Sequence, residues 1–297
     1  MKTKTILAVG SIGIDWLELP NNKSGKTIGG SLTYFTRTAG ESCSVNIVGI
    51  IGNDYPDEGK KLLKKYGNNL DDLQIVNGKS FSWGGRYHKN WEDRTTLFTE
   101  LGVFEHFHPK LSSKNKNLDF IYLGNIHPSL QLDVLSQIKS ENIITACDTM
   151  NLWIETTFNE LNEVIKKVDI LFINESEAIQ LSNCKNSDLS GIKILDMGPK
   201  TVIIKKGASG CKLFSKSESF HVGVYPKSKM IDPTGAGDSF AGGVMAAISR
   251  GLPIKEALIW GTATASFCIE GFGLEGFKKM NNTSLKKRVD YLNNNII

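Results

Sequence analysis

The strongest chemical signal in the chain is the run Ile231-Asp232-Pro233-Thr234-Gly235-Ala236-Gly237-Asp238-Ser239-Phe240-Ala241-Gly242-Gly243. A polar, loop-like stretch precedes Pro233. Small and apolar residues follow it as far as Gly251 and Pro253, which predicts a helix beginning near Gly235-Ala236-Gly237. Residues with so little side chain expose backbone N–H groups, and unpaired donors together with the helix dipole make an anion site. Asp238 falls in the first turn. A carboxylate there cannot ligate an anion, but it can accept a proton from an attacking hydroxyl. As structure alone, the run is a glycine-rich turn with Thr234 as N-cap and Gly242-Gly243 for close helix packing. Caps rarely need three near-featureless residues ending in Asp, so chemistry is the better reading.

Other candidates carry two readings each. Asn174-Glu175-Ser176-Glu177 matches a capping box, Asn174 as cap and Glu177 three residues on, and the same groups could serve a ligand. Asp148 and Asn151 follow a predicted strand, where α/β sheets present functional groups, and an ordinary Asx turn accounts for them equally. Gly261-Thr262-Ala263-Thr264-Ala265-Ser266 is a small-residue helix segment that core packing explains. Several tempting motifs fail. Gly271 to Gly276 matches G-x-G-x-x-G but opens no apolar helix, so it reads as a loop. Gly25-Lys26-Thr27 and Gly78-Lys79-Ser80 have Pro20 and Leu73 where a P-loop needs glycine. His106 and His108 lack a third metal ligand. Lys60, Lys61, Lys64 and Lys65 read as the wet face of an amphipathic helix.

These residues need elements to position them. β-branched strand candidates are Ile6–Ser11, Asn46–Gly52, Asp119–Gly124, Ile143–Asp148, Asp169–Asn174 and Thr201–Lys206. Helical patterns cover Asp57–Tyr66, Leu130–Ser140, Phe158–Val168 and Glu175–Leu181. Near-continuous apolar strands alternating with helices predict an α/β fold: a doubly wound, mainly parallel sheet with helices on both faces. Its ligands should sit beyond the carboxyl ends of the strands, at a switch in strand order. One region breaks the rhythm. Phe81–Lys89 and Thr95–Phe104 alternate apolar and polar residues around the turn Asn90–Arg94, which predicts a hairpin following Leu73–Val76. Residues 15–35 also read as extended. The expectation is one large domain over residues 1–297 with a small discontinuous β-sheet lid at about 15–35 and 78–108; an antiparallel edge of the main sheet is the alternative.

Composition narrows the function classes. The 297 residues carry 35 Lys and Arg against 31 Asp and Glu, and a net charge of +4 is too mild to imply a nucleic-acid partner. Five dispersed cysteines without a C-x-x-C pair speak against a disulfide scaffold or zinc ribbon and favour a reducing, cytoplasmic setting. The basic, apolar start is broken by Gly10, Gly13 and Asp15, so it reads as a buried strand rather than a signal peptide. Ala257–Ile269 is too short for a membrane span. The 29 glycines against 8 prolines should mark tight turns and backbone–ligand contacts.

Over essentially its whole length the chain resembles the ribokinase-like, or PfkB, family of carbohydrate and nucleoside kinases. Residues 232–243 look like that family's C-terminal signature. Gly10-Ser11-Ile12-Gly13-Ile14-Asp15 is similar to its first strand, Gly29-Gly30 to its di-glycine hinge, and Asn174–Glu177 to its N-x-x-E motif. The resemblance implies ATP and Mg²⁺, with Asp238 as base, Gly235, Ala236 and Gly237 as anion hole, and Asp15, Gly29 and Gly30 at the acceptor. It further implies Asn174 near the phosphates, Glu177 as an indirect Mg²⁺ ligand, and Lys206, Gly207 and Gly210 along the nucleotide. Thr262 lies where relatives place adenine, and Asp232 and Thr234 where some hold a monovalent cation such as K⁺. The pattern departs in one place. Sugar-handling relatives carry an Asn a few residues after the di-glycine, but here Ser31-Leu32-Thr33-Tyr34-Phe35 follows. Lid residues Phe81, Trp83, Arg86, Tyr87, His88, Trp91 and Arg94 could stack on a nucleobase, with Arg86 or His88 on a ribose or carbonyl, or simply pack the hairpin. The expected activity is therefore phosphoryl transfer to a primary hydroxyl of a small-molecule sugar or nucleoside. The alternative is a non-catalytic sensor of nucleotide or sugar phosphate. A homodimer through the lid is a further expectation, because a lone hairpin sheet leaves edges and an apolar face uncovered.

Overall fold

In the computed structural model, which describes residues 4–91, 93–140 and 142–295, each predicted apolar run becomes a strand. The strands are β1 (Ile6–Val9), β2 (Gly13–Glu18), β3 (Ser24–Gly29), β4 (Val45–Gly52), β5 (Asn69–Val76), β6 (Phe81–Tyr87), β7 (Arg94–Glu100) and β8 (Phe120–Leu123). They continue as β9 (Ile144–Asp148), β10 (Ile170–Asn174), β11 (Thr201–Lys205), β12 (Cys211–Ser215) and β13 (Ser219–Val222). A nine-stranded sheet has the order β13-β12-β11-β10-β9-β8-β1-β4-β5. It is parallel from β11 to β5, and the β12–β13 hairpin, which sequence patterning did not reveal, adds antiparallel strands at one edge. Strand order reverses at β1, between β4 and β8, which fixes the ligand-attracting crevice beyond the ends of β1 and β8.

The helices are α1 (Ser31–Ala39), α2 (Asp57–Tyr66), α3 (Pro128–Gln137), α4 (Asn151–Thr156) and α5 (Phe158–Ile165). After these come α6 (Glu175–Ser182), α7 (Ser187–Leu195), α8 (Ala236–Ser249), α9 (Ile254–Cys268) and α10 (Asn282–Asn294). Because side chains alternate along a strand, successive residues enter different cores. Ile6, Ala8, Ile47, Tyr122, Phe172 and Ile203 pack with α1, α2, α8, α9 and α10 on one face. Leu7, Val9, Val48, Ile121, Leu171 and Val202 pack with α3 to α7 on the other. Helix α8 approaches α1 and α9 closely: a Cβ on Gly242 would overlap the Thr38 hydroxyl, and one on Gly243 the Thr264 hydroxyl. Among the described residues, no helix is long and apolar enough to cross a membrane.

A second, four-stranded sheet has the order β3-β2-β6-β7. Register puts Asp15 opposite Thr27 and Trp83, and Tyr87 opposite Arg94, so these share one face with the buried Leu17. Glu18, Arg86 and Thr95 share the other. Two expectations about this region change. Residues 31–35 belong to helix α1, not to an extended lid. Gly30 (φ 89°) turns the chain, and the Ser11 and Ser31 hydroxyls accept each other's backbone N–H at 3.1 and 3.2 Å. Burial against α8 then overrides the weak helix propensity of a Thr-rich segment. The second hairpin strand ends at Glu100, and Gly102–His106 forms a 3₁₀ turn with Val103 in the core.

Candidate active site

Helix α8 begins without a side-chain cap. Its N-cap is Gly235 in the left-handed region (φ 74°), where a Cβ would also overlap the Tyr34 ring. The Ala236 N–H donates to the Pro233 carbonyl at 3.1 Å, and the Ser239 N–H to the Gly235 carbonyl at 2.9 Å. Among the described residues, the N–H groups of Gly235 and Gly237 have no protein acceptor. Asp238 stands half-buried in this first turn. Burial pushes its carboxyl up to about 7; Asp148 adds repulsion, while Lys205 and Arg94 pull the other way.

Lys205 and Asp148 end β11 and β9, on either side of β10, and both point to the α8 face. The Lys205 Nζ lies 2.7 and 2.9 Å from the two Asp148 carboxylate oxygens. Burial alone would lower the lysine pKa, yet Asp148, Glu177 and Asp238 raise it overall. Lys206, one residue on, points to the opposite face and contacts Glu175 at 2.8 Å and the Ser187 hydroxyl at 2.9 Å. Sequence reasoning selected Lys206 and missed Lys205. The signal that separates them is strand parity: Ile203 is in the α8-side core and Ile204 in the other.

Asn174 and Glu177 form a reciprocal capping box on α6: Asn174 Oδ1 accepts the Glu177 N–H at 2.8 Å, and Glu177 Oε2 accepts the Asn174 N–H at 3.0 Å. Glu177 is nonetheless buried beside the charged cluster. Burial raises its pKa, reinforced by Asp148 and offset by Lys205 and the Asn174 N–H. Asp148 Oδ1 accepts the Thr149 N–H at 2.9 Å, and Asn151 is exposed at the start of α4.

On the small sheet, Asp15 is 5% exposed, and a Cβ on Gly29 would collide with its carboxylate. Burial drives the Asp15 carboxyl to about 7, reinforced by Asp232 and Asp238 and offset by the Gly30 N–H. Three tyrosines surround it electrostatically: Tyr34, Tyr55 and Tyr87 all feel its charge after the larger effect of their own burial. Among the described residues, the buried Tyr34 hydroxyl has no hydrogen-bond partner. Arg86 and His88 are not on this face. Arg86 pairs with Glu18 at 2.6 Å on the outer side, and His88 is exposed with its Nε2 2.9 Å from the Thr95 hydroxyl. The lid cation directed at the site is Arg94, whose charge reaches Asp238, Glu177 and Tyr87 and whose guanidinium lies 5.8 Å from the Trp83 ring centre.

The Gly207–Gly210 turn joins β11 to β12, closed by the Lys206 N–H on the Gly210 carbonyl at 2.7 Å. Thr262 is buried on α9 beside Cys211, the residue after that turn. The side chains considered for a monovalent cation are engaged with the protein. Asp232 accepts the Thr234 N–H (2.9 Å) and the Gly273 N–H (2.7 Å) through different oxygens, and the Thr234 hydroxyl donates to Tyr87 at 3.2 Å. Each Asp232 oxygen keeps a lone pair beyond these bonds. For Mg²⁺, no cluster of three acidic, His or Cys side chains could hold a metal among the described residues. Mg²⁺ commonly keeps waters and substrate phosphates on one or two carboxylates, and the buried Glu177 fits that indirect mode.

Open N–H donors, carboxyls that titrate near neutrality and two directed cations can receive a polyanion and deprotonate a hydroxyl next to it. The sequence profile described as pfkB family carbohydrate kinase matches residues 37–278. The chain is 26% identical over 275 residues to a cytidine kinase of Thermococcus kodakarensis, covering 90% of this chain and 97% of that protein. Among solved structures, the Methanocaldococcus jannaschii nucleoside kinase superposes with a TM-score of 0.81 at 20% identity, over 97% of this chain and 98% of that one. A putative ribokinase II from E. coli in complex with ATP and Mg²⁺ also gives 0.81 at 20% identity, over 97% and 99%.

Proposed function

Because this chain belongs to the pfkB family of carbohydrate kinases, a phosphotransferase family with alcohol acceptors, we propose that it transfers the ATP γ-phosphoryl group to a primary hydroxyl of a ribonucleoside. The observation that carries this reading is the first turn of α8: unshared N–H donors at Gly235 and Gly237, with the Asp238 carboxyl raised to about 7 beside them. Phosphoryl transfer through a loose transition state asks for charge stabilisation and in-line positioning more than covalent help. The Gly235–Gly237 backbone would receive the equatorial oxygens, and Asp238 would take the acceptor's proton. Mg²⁺, held through water by Glu177, would neutralise charge on the ATP phosphates. Asp15, fixed over Gly29, would bind acceptor hydroxyls, and the small sheet would close over them as a lid.

Two features support a nucleoside over a free sugar. Ser31-Leu32-Thr33-Tyr34-Phe35 has no Asn in the stretch where sugar-handling relatives carry one, and Trp83, Tyr87 and Arg94 present aromatic and cationic groups on the inner lid face. Of two relatives that match over most of their length, one is named a cytidine kinase and the other a nucleoside kinase. The outer lid face, where Phe98 is 39% exposed, is the surface a second copy would cover. A coupled ADP-release assay across cytidine, adenosine, inosine, ribose and fructose tests the reading. We expect a nucleoside to be preferred in kcat/KM by at least about tenfold, the scale of one or two lost contacts. A free sugar as best acceptor would overturn the nucleoside assignment. Nucleotide binding by calorimetry without turnover of any acceptor would instead establish the non-catalytic sensor.

A further inference from the structure

We propose that Lys205 is a second catalytic group of this site: its ammonium rests on Asp148 when no phosphate is present, then gives its remaining N–H to the transferred phosphoryl group while Asp148 keeps hold of the others. This rests on phosphoryl transfer taking place at the first turn of α8. Four observations carry it. The Nζ lies 3.1 Å from where a Cβ on Gly237 would stand, so the ammonium reaches the open backbone of the helix N-terminus because that residue has no side chain. A lysine ammonium has three donors, and Asp148 takes two, at 2.7 and 2.9 Å; among the described residues the third has no acceptor. The Asp148 side chain is 4% exposed and its bonds go to Lys205 and to the adjacent Thr149 N–H, so the carboxylate positions the lysine. The pair also occupies the carboxyl ends of β9 and β11 on the α8 face. Such a buried ion pair contributes little to stability, because desolvating both charges offsets their attraction. A pair placed at a ligand-facing edge at so little gain in stability points to a role in the site.

In the step itself, the acceptor oxygen forms a bond to the γ-phosphorus as the bond from that phosphorus to the β,γ-bridging oxygen breaks. ADP leaves with that electron pair, and the hydroxyl proton passes to Asp238. Lys205 forms and breaks no covalent bond; its positive charge balances the negative charge spread over the equatorial oxygens. Asp148 prevents the lysine from following the phosphate out as product leaves.

The test compares Lys205→Met, Lys205→Arg and Asp148→Asn with the unmodified protein. Removing one charged donor should weaken a non-hydrolysable ATP analogue by about 10- to 100-fold in calorimetry and leave ADP within about twofold, because only the γ-phosphate is touched. With the preferred acceptor, Lys205→Met should lose about 100- to 1,000-fold in kcat, the scale of an anion-hole donor, and Lys205→Arg should recover part of it. The acid limb of kcat/KM gives a readout that a structural role would not move. Asp238 faces Asp148 from β9, Lys205 from β11, Arg94 from β7, and Tyr122 and Asp15 from β8 and β2. Removing Lys205 should move that limb to higher pH and removing the Asp148 charge to lower pH. Equal loss of analogue and ADP affinity, or a limb that stays in place in both variants, overturns the proposal. If Lys205→Met fails to fold, Lys205→Arg and Asp148→Asn still decide through the analogue-to-ADP ratio and the limb. An unmodified protein that discriminates analogue from ADP through Lys205 yet phosphorylates no acceptor would retain the lysine contact and sink the kinase reading alone.

Discussion

Helices α6 and α8 start at the same edge of the large sheet with oppositely wired first turns. In α6, Asn174 and Glu177 bond reciprocally to each other's backbone, and the Ser176 hydroxyl adds a 2.8 Å bond to Asn174. In α8 the cap is a glycine, and the donors of Gly235 and Gly237 stay open. A capped terminus is complete within the protein, whereas an uncapped one holds its donors in reserve for a ligand. The contrast predicts that Asn174 serves the fold more than the proposed reaction, and the α8 turn the reverse, although both lie in family-like motifs.

The largest effect that could break this contrast is at Asp238. Asp238→Asn should lower kcat by about 1,000-fold or more, within the range of a general base, while circular dichroism stays unchanged. Its stability should have a signature too. Asp15 and Asp238 both titrate near 7 in the folded chain, against an ordinary carboxylate value of 3.8. Their contribution is therefore fully present below about pH 4 and lost as pH rises through about 7. Melting scans should show the unmodified protein losing more stability between pH 5 and 8 than Asp238→Asn does. A steeper loss in the variant would mean that Asp238 is not held partly protonated.

Next in size is Gly235→Ala. It meets both a positive φ and the Tyr34 ring, so it should cost about 1–3 kcal/mol of stability and about 100-fold in kcat. Denaturant melts and turnover assays check the two together. Asn174→Ala should have the opposite balance: a loss of about 1 kcal/mol, read as a lower denaturation midpoint, with kcat within about threefold. A tenfold fall in kcat with an unmoved midpoint would erase the distinction between the two termini. The smallest effect is on the pH–rate profile of the unmodified enzyme. Its kcat/KM should rise with pH through about 7 as Asp238 loses its proton; a flat profile from pH 5 to 8 would assign the proton to another group.

Much of this was legible in the sequence, and the parts that were not share a physical cause. Continuous apolar runs disclosed the covered parallel sheet, and Asp57–Tyr66 was read to the residue because its amphipathic pattern is unambiguous. The Gly-Ala-Gly-Asp run announced an open helix start. Local pattern cannot tell which of two adjacent residues points at a ligand, since that depends on which face another helix covers. So Lys206 was chosen when Lys205 lines the crevice. Arg86 and His88 were chosen, but Arg86 alternates with Trp83 and Tyr87 to the outer face, while the register shift between Gly84 and Gly85 sets Arg94 opposite Tyr87 on the inner one. Helix α1 was hidden by Thr33, Thr36 and Thr38, residues that favour strands unless tertiary burial decides otherwise. The short edge strands β12 and β13 have too little patterning to stand out.

The glycine contacts of α8 also bear on how this protein could be redesigned. Gly242 and Gly243 sit flush against α1 and α9, and Gly235 against Tyr34, so not even one methyl group fits at any of these three positions of the helix that carries Asp238. The proposed base and the open turn beside it are thereby held in one closely packed part of the molecule. Trp83 and Arg94 lie on the separate small sheet and are not buried, so substitutions there have room to be absorbed. A library built to change the acceptor should leave α8 untouched and spend its diversity on those two positions.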